Sequence, residues 1–189
     1  MRIQTSAFTN LIFILMAEIS SLRAIIRALL ATSPPSVTAS FNVAAKNQLI
    51  RRQQHYSDVS DVFVVDKNSE ILPGPAAKTT LAYVRSLYGA GMAFQSITIL
   101  TSIIRATLGF TWQEDGVMSD TLAEIDADIS QAIQSCREEL ASKSDKATSA
   151  KETLQALLNA LGDSRREVEM REGEFPFERG LANAENLRC

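Results

Sequence analysis

The sequence is poor in the residues that most often carry catalysis or bind metals. Its 189 residues include one histidine, His55, and two cysteines. A single histidine cannot form a histidine pair, and no Cys and His spacing matches that of a zinc site. The glycine-rich loop of a phosphate-binding site and the strained turn that carries a nucleophilic serine are also missing. We therefore predict that the protein is not an enzyme and that it uses no metal or cofactor.

Cysteine usage and net charge further limit the class of protein and its cellular compartment. Cys136 lies on an apolar helical stripe and is predicted to be a small core residue, and Cys189 is far from it in sequence. Nothing indicates a disulfide framework, so a reducing compartment is expected. The formal net charge of -3 disfavours a general nucleic-acid binder, because such proteins are usually basic. A few local Arg and Lys residues remain compatible with RNA binding.

Apolar residues recur at spacings of three and four along two segments near the C-terminal end. This period predicts one apolar stripe on each of two helices, over residues 121–140 and 149–161. The connection between them is short and polar, so the two helices are expected to pack antiparallel. Two capping boxes and a glycine C-cap are the predicted end signals: Thr121 with Glu124, Ser149 with Glu152, and Gly162.

The first third of the chain is predicted to begin with an amphipathic helix over residues 9–31. A signal peptide within residues 1–17 is the alternative, because much of this stretch is uncharged. Pro34 and Pro35 end that helix, since proline lacks a backbone donor and restricts the residue before it. A second helix is predicted over residues 43–56.

The middle of the chain is predicted to form one long apolar helix over residues 78–108, which Gly89 and Gly91 could bend. Residues 86–104 carry no charge over a length close to that of a membrane span. Polar Ser, Gln and Thr residues dilute the stretch, and no basic cluster flanks it. We therefore interpret it as a buried helix and keep a membrane span as the alternative.

The predicted elements indicate an all-α fold class with a long apolar helix and a small β-hairpin. The hairpin is predicted from the β-branched run at residues 62–65 and the apolar pair at residues 71–72. Residues 1–17 are assigned to an N-terminal extension or the start of the first helix. Residues 18–181 form the predicted bundle domain, and residues 182–189 a flexible tail.

Three carboxylates, those of Glu124, Asp126 and Asp128, are predicted to form a solvated face. Spacings of two do not bring carboxylates together on a helix, so a metal or acid–base role is not expected. Three aromatic residues are assigned to packing: Trp112, Phe175 and Phe177.

Four features follow one another along the chain. Residues 18–30 lead to residues 44–54, whose sequence AAKNQLIRRQQ places a basic residue after two alanines and before an apolar doublet. The small β segment comes next, followed by two long helices that include residues 132–138, and then by FERGL at residues 177–181. In this order the features resemble the coat proteins of rod-shaped plant RNA viruses, the tobamovirus-like group, with their two helix pairs, short outer sheet and C-terminal Phe-Glu element.

The resemblance implies a structural protein of the virion, a capsid subunit shaped as an elongated wedge. Its expected fold is an antiparallel four-helix-bundle core with an extra long apolar helix and a small β-hairpin. Many copies would self-assemble helically around single-stranded RNA in the cytoplasm of a host cell. Its partners would be its own copies and RNA, with no small-molecule substrate and no membrane. Basic residues at the inner end would neutralise phosphates. The predicted RNA-binding residues are Lys46 and Arg51 near the start of the second helix, and Arg137, Lys143 and Lys146 around the turn of the second pair.

Two other classes remain open at this point. The protein can be a membrane-associated helical protein anchored by residues 86–104, or a helical module that offers an apolar stripe to a protein partner. The coat interpretation differs from both because it predicts open-ended assembly with RNA.

Overall fold

Hydrogen bonding along most of the chain is helical. The computed structural model describes residues 18–56, 58–67, 69–142 and 147–187. Helix accounts for 72% of the described residues, which also contain one small antiparallel sheet, so the predicted helical class and the hairpin are confirmed. The described elements are α1 (Ile19–Thr32), α2 (Pro35–Tyr56), β1 (Phe63–Val65), β2 (Ile71–Pro73), α3 (Ala77–Gly89), α4 (Ala93–Arg105), α5 (Val117–Ser142), α6 (Ala147–Met170) and α7 (Glu178–Glu185).

Backbone contacts divide the chain into two units, residues 1–45 and residues 46–189. In the first unit the predicted proline break is confirmed, because α1 ends at Thr32 and α2 begins at Pro35. Proline suits the first helical position, where its missing N–H would have had no partner. The Pro34 carbonyl accepts from the Val37 N–H at 3.0 Å, so α2 begins earlier than the predicted residue 43. The predicted residues 1–17 lie outside the described part of the chain.

The core of the second unit is built around α4. Its buried positions are mostly large and aliphatic: Ile97, Ile99, Leu100, Ile103 and Ile104, with Ala93, Ser96 and Thr101 between them. The backbone of α4 lies close to those of α3, α5 and α6, whereas α5 and α6 approach each other less closely. The two helices that were expected to pack as a pair are therefore joined mainly through α4.

The predicted single helix over residues 78–108 is wrong, because a sharp turn separates α3 from α4. Gly91 has a φ of +70°, a conformation that residues with a Cβ rarely adopt. Its N–H donates to the Tyr88 carbonyl at 3.1 Å, and the Met92 N–H donates to the Leu87 carbonyl at 3.0 Å. These two bonds form a Schellman motif, which satisfies the last carbonyls of α3 and stops the helix. The uncharged stretch is divided between two short helices.

Both predicted capping boxes are wrong, because Thr121 and Ser149 lie inside their helices. α5 begins at Val117, and the Thr121 hydroxyl donates to the Val117 carbonyl at 2.8 Å instead of capping a helix start. Met118 is buried in the first turn, so core packing extends the helix beyond the capping pattern. α6 likewise begins at Ala147.

The predicted helix end at Gly162 is also wrong, because α6 continues to Met170. Leu161 and Ser164, on either side of the glycine, are both buried. Tertiary packing therefore holds this turn in helical form, although glycine is a weak helix former.

The sheet and the last helix complete the second unit. β1 and β2 pair antiparallel, with Val64 opposite Leu72. Ile71 is buried against the helical core. The boundary predicted at residue 181 falls inside α7, where Ala184 is buried. No helix in the described ranges combines the length and the apolar character that a bilayer crossing needs.

Candidate nucleic-acid interface

The expectation that the α5 carboxylates form a solvated face is wrong for two of the three. Asp126 and Asp128 are 3% and 4% exposed, because α7 covers one and α3 covers the other. Carboxylates are rarely buried without partners, since desolvation of the charge is costly. Each of the two lies against an arginine, so α5 uses its acidic residues to hold neighbouring helices.

Asp126 caps the N-terminal end of α7. Its carboxylate accepts from the Arg179 Nε at 2.9 Å and from the Gly180 N–H at 2.7 Å. The residue before α7, Phe177, supplies no side-chain cap, and Gly180 is the third residue of the helix. A carboxylate from another helix thus satisfies an N-terminal N–H and sits at the positive end of the helix dipole.

Gly180 permits this contact because it has no Cβ. A Cβ at this position would lie 2.8 Å from Ile129 Cγ2 and 3.0 Å from Asp126 Oδ1. Phe177 is fully buried just before it and meets Phe175 edge to face, with 5.9 Å between the ring centroids. Both phenylalanines are packing residues, as expected, and they anchor α7 on the core.

Asp128 holds α3 in the same manner. It accepts from Arg85 Nε at 2.9 Å and from the Tyr88 hydroxyl at 3.0 Å, and Arg85 also reaches Glu124 at 3.0 Å. Burial, reinforced by the Asp128 charge, raises the pKa of Tyr88 to about 12. Hydrogen bonding to Asp128 raises the pKa of Arg85. This group of four residues is a structural link between α3 and α5.

Lys46 lies at the end of α3 where the chain turns into α4. Its ammonium nitrogen is 3.3 Å from the Gly91 carbonyl oxygen, next to the negative end of the α3 dipole. One turn further along α2, the Leu49 carbonyl accepts from the Tyr83 hydroxyl at 2.9 Å. This bond fixes the second half of α2 against α3.

The last turn of α5 reaches the same place. Glu139 Oε2 accepts from the Ala93 N–H at 3.1 Å and so caps α4 from another helix. Ala93 is two residues from Gly91, the partner of Lys46. Lys46 and the last turn of α5 therefore contact the same turn, at one end of the unit. We call these two segments the basic end, because they include Lys46 and because two lysines follow α5 in sequence.

The predicted RNA-binding residues occupy different positions relative to the basic end. Lys46 lies on it, and Arg51 is exposed more than one turn further along α2. Arg137 is half-buried, and its guanidinium turns towards α7, 3.4 Å from the Asn183 carbonyl oxygen. Lys143 and Lys146 follow α5 directly in sequence but lie outside the described residues.

A cavity of about 520 Å³ lies at the other end of α5. Helix α5 lines it through Ser119, Ala123 and Asp126, which lie about 20–30 Å along the helix from Glu139. Its wall is aromatic, and its rim carries four glutamates and two arginines: Phe110, Trp112 and Phe175, with Glu114, Glu172, Glu174, Glu178, Arg171 and Arg179. We call this region the acidic end. The carboxylates do not form a metal cluster in the described structure.

The distribution of charge along the chain is a signal that the search for motifs missed. Residues 19–57 contain five Lys and Arg residues and no Asp or Glu. Residues 58–189 contain 13 Lys and Arg residues and 21 Asp and Glu residues. The net charge of -3 is therefore the sum of a basic segment, residues 19–57, and an acidic segment, residues 58–189. A count of charged residues in sequence windows detects this asymmetry.

Comparison with known proteins does not extend these observations. No protein-family model matches the chain, and neither a curated protein nor a solved structure matches it.

Proposed function

We propose that this protein is a coat subunit that self-assembles helically around single-stranded RNA. In this proposal α3, α4, α5 and α6 form an elongated four-helix wedge, and the basic end faces the RNA. The protein would act as part of a virion, assembled in the cytoplasm of a host cell. Its partners are RNA and its own copies.

The observation that carries the proposal is that Lys46 and the last turn of α5 contact the same turn, the one between α3 and α4. These segments are distant in sequence, and the resemblance to rod-shaped virus coats expects both at the inner end. Lys46 lies at Gly91, and Glu139 caps Ala93 two residues later. The chain then enters residues 143–146, where the sequence supplies two lysines. Lys46 therefore lies at this end, and two more of the predicted cations, Lys143 and Lys146, follow α5 directly in sequence.

Such an end can bind RNA without an overall basic charge. Each Lys or Arg that neutralises a phosphate releases counterions, and this release supplies binding free energy without reading sequence. Arg137 contributes in this proposal if its long, weak contact to α7 is exchanged for a phosphate. Arg51 is exposed and serves as a further contact along the strand. Repeated subunits would then add many weak contacts along one RNA.

The apolar surface of the subunit is also consistent with self-assembly. Val64 and Val65 on β1 are 43% and 51% exposed, and Ile50 on α2 is 52% exposed. Lateral contact between copies would bury such residues at about 25 cal/mol per Å². A subunit that is completed by its neighbours is expected to leave such residues open when isolated.

The test combines a site variant with particle imaging. Arg137→Ala, Lys143→Ala and Lys146→Ala are made together, and a control carries Lys67→Ala, Lys78→Ala and Arg166→Ala. The control removes the same charge from surfaces away from the basic end. Negative-stain electron microscopy and the ratio of absorbance at 260 and 280 nm are then compared with those of the unmodified protein.

The unmodified protein and the control are expected to form rods or stacked discs that contain RNA. The site variant should retain its helical circular dichroism but package less RNA. Equal RNA content in both variants would refute the site assignment. Small particles without RNA at mildly acidic and neutral pH would refute the coat function and favour a partner-binding module.

A further inference from the structure

Helix α1 exposes an apolar stripe. Ile19, Ile25 and Leu29 are 68%, 46% and 53% exposed, and none of the α1 residues is buried. These positions recur at the spacing of one helix face. Contiguous exposed aliphatic side chains of this kind mark a surface that binds another apolar surface.

Two arginines border the stripe. Arg23 and Arg27 are four residues apart, so they lie on one side of α1, at the edge of the apolar face. From residue 19 to residue 57 the sequence contains no Asp or Glu. The partner of this helix should therefore combine apolar surface with carboxylates.

The acidic end of the second unit has this combination. Four exposed glutamates line its cavity, against two arginines in the same lining. On the cavity rim Glu114 and Glu174 are exposed, and neither forms an ion pair with a cation in the described part of the chain. Val117 and Met170, at the neighbouring ends of α5 and α6, are 68% and 79% exposed.

We propose that α1 of one copy binds the acidic end of a second copy. The apolar stripe would cover Val117 and Met170, and the Arg23 and Arg27 guanidinium groups would lie against the rim carboxylates and the Trp112 ring. An arginine over an aromatic face gains cation–π attraction in addition to its charge pairing. The inference rests on the proposed self-assembly and names one of its contacts.

A contact between two different surfaces allows open-ended growth. The two surfaces are different, so every copy offers one of each and the interface is heterologous. A heterologous contact whose rotation does not close produces a helical filament. The contact also leaves the basic end free for RNA, because the cavity lies at the opposite end of α5.

The chemistry of α1 favours a second copy over the other possible occupants. RNA offers no aliphatic surface to cover Ile25 and Leu29. A helix that binds at a membrane surface carries Lys or Arg on its polar face and Trp, Phe or Leu on its apolar face, and α1 shares the arginines and leucines of this pattern. The vesicle experiment below separates that occupant from a second copy. The charge complementarity within the chain itself points to another copy.

The test is a pair of charge reversals that compensate each other. One variant carries Arg23→Glu and Arg27→Glu, a second carries Glu114→Arg and Glu174→Arg, and a third carries all four changes. Lys67→Glu with Lys78→Glu is the control for net charge. Sedimentation velocity at low ionic strength, with nucleic acid removed, gives the concentration at which half of the protein is assembled.

Each two-residue reversal is expected to raise that concentration at least about tenfold, because attraction across the contact becomes repulsion. The four-residue variant should return to within about twofold of the unmodified protein, and the control should not shift. Failure of the combined variant to recover, while the control assembles normally, would overturn the inference.

Other outcomes identify a different occupant and also overturn the inference. One is a variant with Arg23→Glu and Arg27→Glu that assembles normally but protects less RNA from nuclease. Another is co-sedimentation of the unmodified protein with phosphatidylserine vesicles, lost on reversal, without a change in self-assembly. If every charge-reversal variant still forms RNA-containing rods as the unmodified protein does, the inference is refuted but the coat function is not. Assembly that follows the reversals but never encloses RNA would defeat the coat function alone.

Discussion

The same substitution, glycine to alanine, is expected to have opposite effects at two helical positions. At Gly162, inside α6, no atom lies within 4 Å of the place that an added Cβ would occupy. Alanine loses less backbone entropy than glycine on folding, so Gly162→Ala should stabilise the protein by about 0.5–1 kcal/mol. At Gly180 the added Cβ would lie 2.8 Å from Ile129 Cγ2, where carbon atoms normally stay about 3.5–4.0 Å apart.

The start of α7 must then move by about an ångström. The Gly180 N–H, now 2.7 Å from Asp126 Oδ1, would pass beyond hydrogen-bond range. Overpacking of this size costs about 1–3 kcal/mol, and the lost bond to a charged acceptor adds to it. After the helix-propensity gain, Gly180→Ala should still destabilise the protein by about 1–3 kcal/mol.

Equilibrium unfolding in urea measures both variants against the unmodified protein. Circular dichroism follows the helices, and fluorescence of Trp112, the one tryptophan, follows the acidic end. The two free energies of unfolding should differ by about 1.5–4 kcal/mol, with Gly162→Ala the more stable. A Gly180→Ala protein as stable as Gly162→Ala would refute the close approach of α7 to α5.

Two further predictions follow from single residues. Glu172 has a φ of +58° where α6 ends, so Glu172→Gly should stabilise the protein by about 1 kcal/mol in the same urea assay; a loss of stability would contradict the assigned helix end. Burial raises the pKa of Tyr88 from 10.0 to about 12, which favours the neutral phenol in the folded state. Its contribution to stability is therefore complete below pH 10 and is lost as the pH rises towards 12. The urea midpoints of the unmodified protein and Tyr88→Phe should converge across this range, and a constant difference would contradict the assignment.

The polar contacts of the second unit share one design. Asp126 caps α7, Glu139 caps α4, and Asp128 holds α3 through Arg85. All three carboxylates belong to α5, which therefore fixes its neighbours by charge as well as by its apolar stripe. Bonds of this kind are directional, so they specify helix positions that apolar burial alone leaves open.

Several parts of this fold could be predicted from local sequence. The proline break between α1 and α2, the small hairpin and the apolar stripes of α5 and α6 all follow from residues close together in the chain. Proline has no backbone N–H donor, whatever its surroundings. The spacing of apolar residues indicates which face of a helix will be buried. The burial of Phe175 and Phe177 was likewise expected from their apolar character.

The positions of helix ends could not be predicted in the same way. The residues around Thr121, Ser149 and Gly162 carry familiar start and stop signals, but the core extends the helices beyond them. Capping contributes about 1 kcal/mol, and a buried side chain such as Met118 contributes more. Gly91 shows the opposite case, in which two backbone bonds and a left-handed residue end a helix that hydropathy alone would continue.

By itself the sequence determined that the protein is helical, where its chain is broken by proline, and which faces are apolar. These properties depend on local conformational preference and on the burial of apolar surface, and both can be read from neighbours in the chain. Only the tertiary structure decided that Asp126 and Asp128 are buried and that Lys46 contacts the turn between α3 and α4. It also placed the acidic cavity at the opposite end of that helix. These outcomes depend on charges brought together from distant parts of the chain, where the partner of each group determines whether its burial is possible.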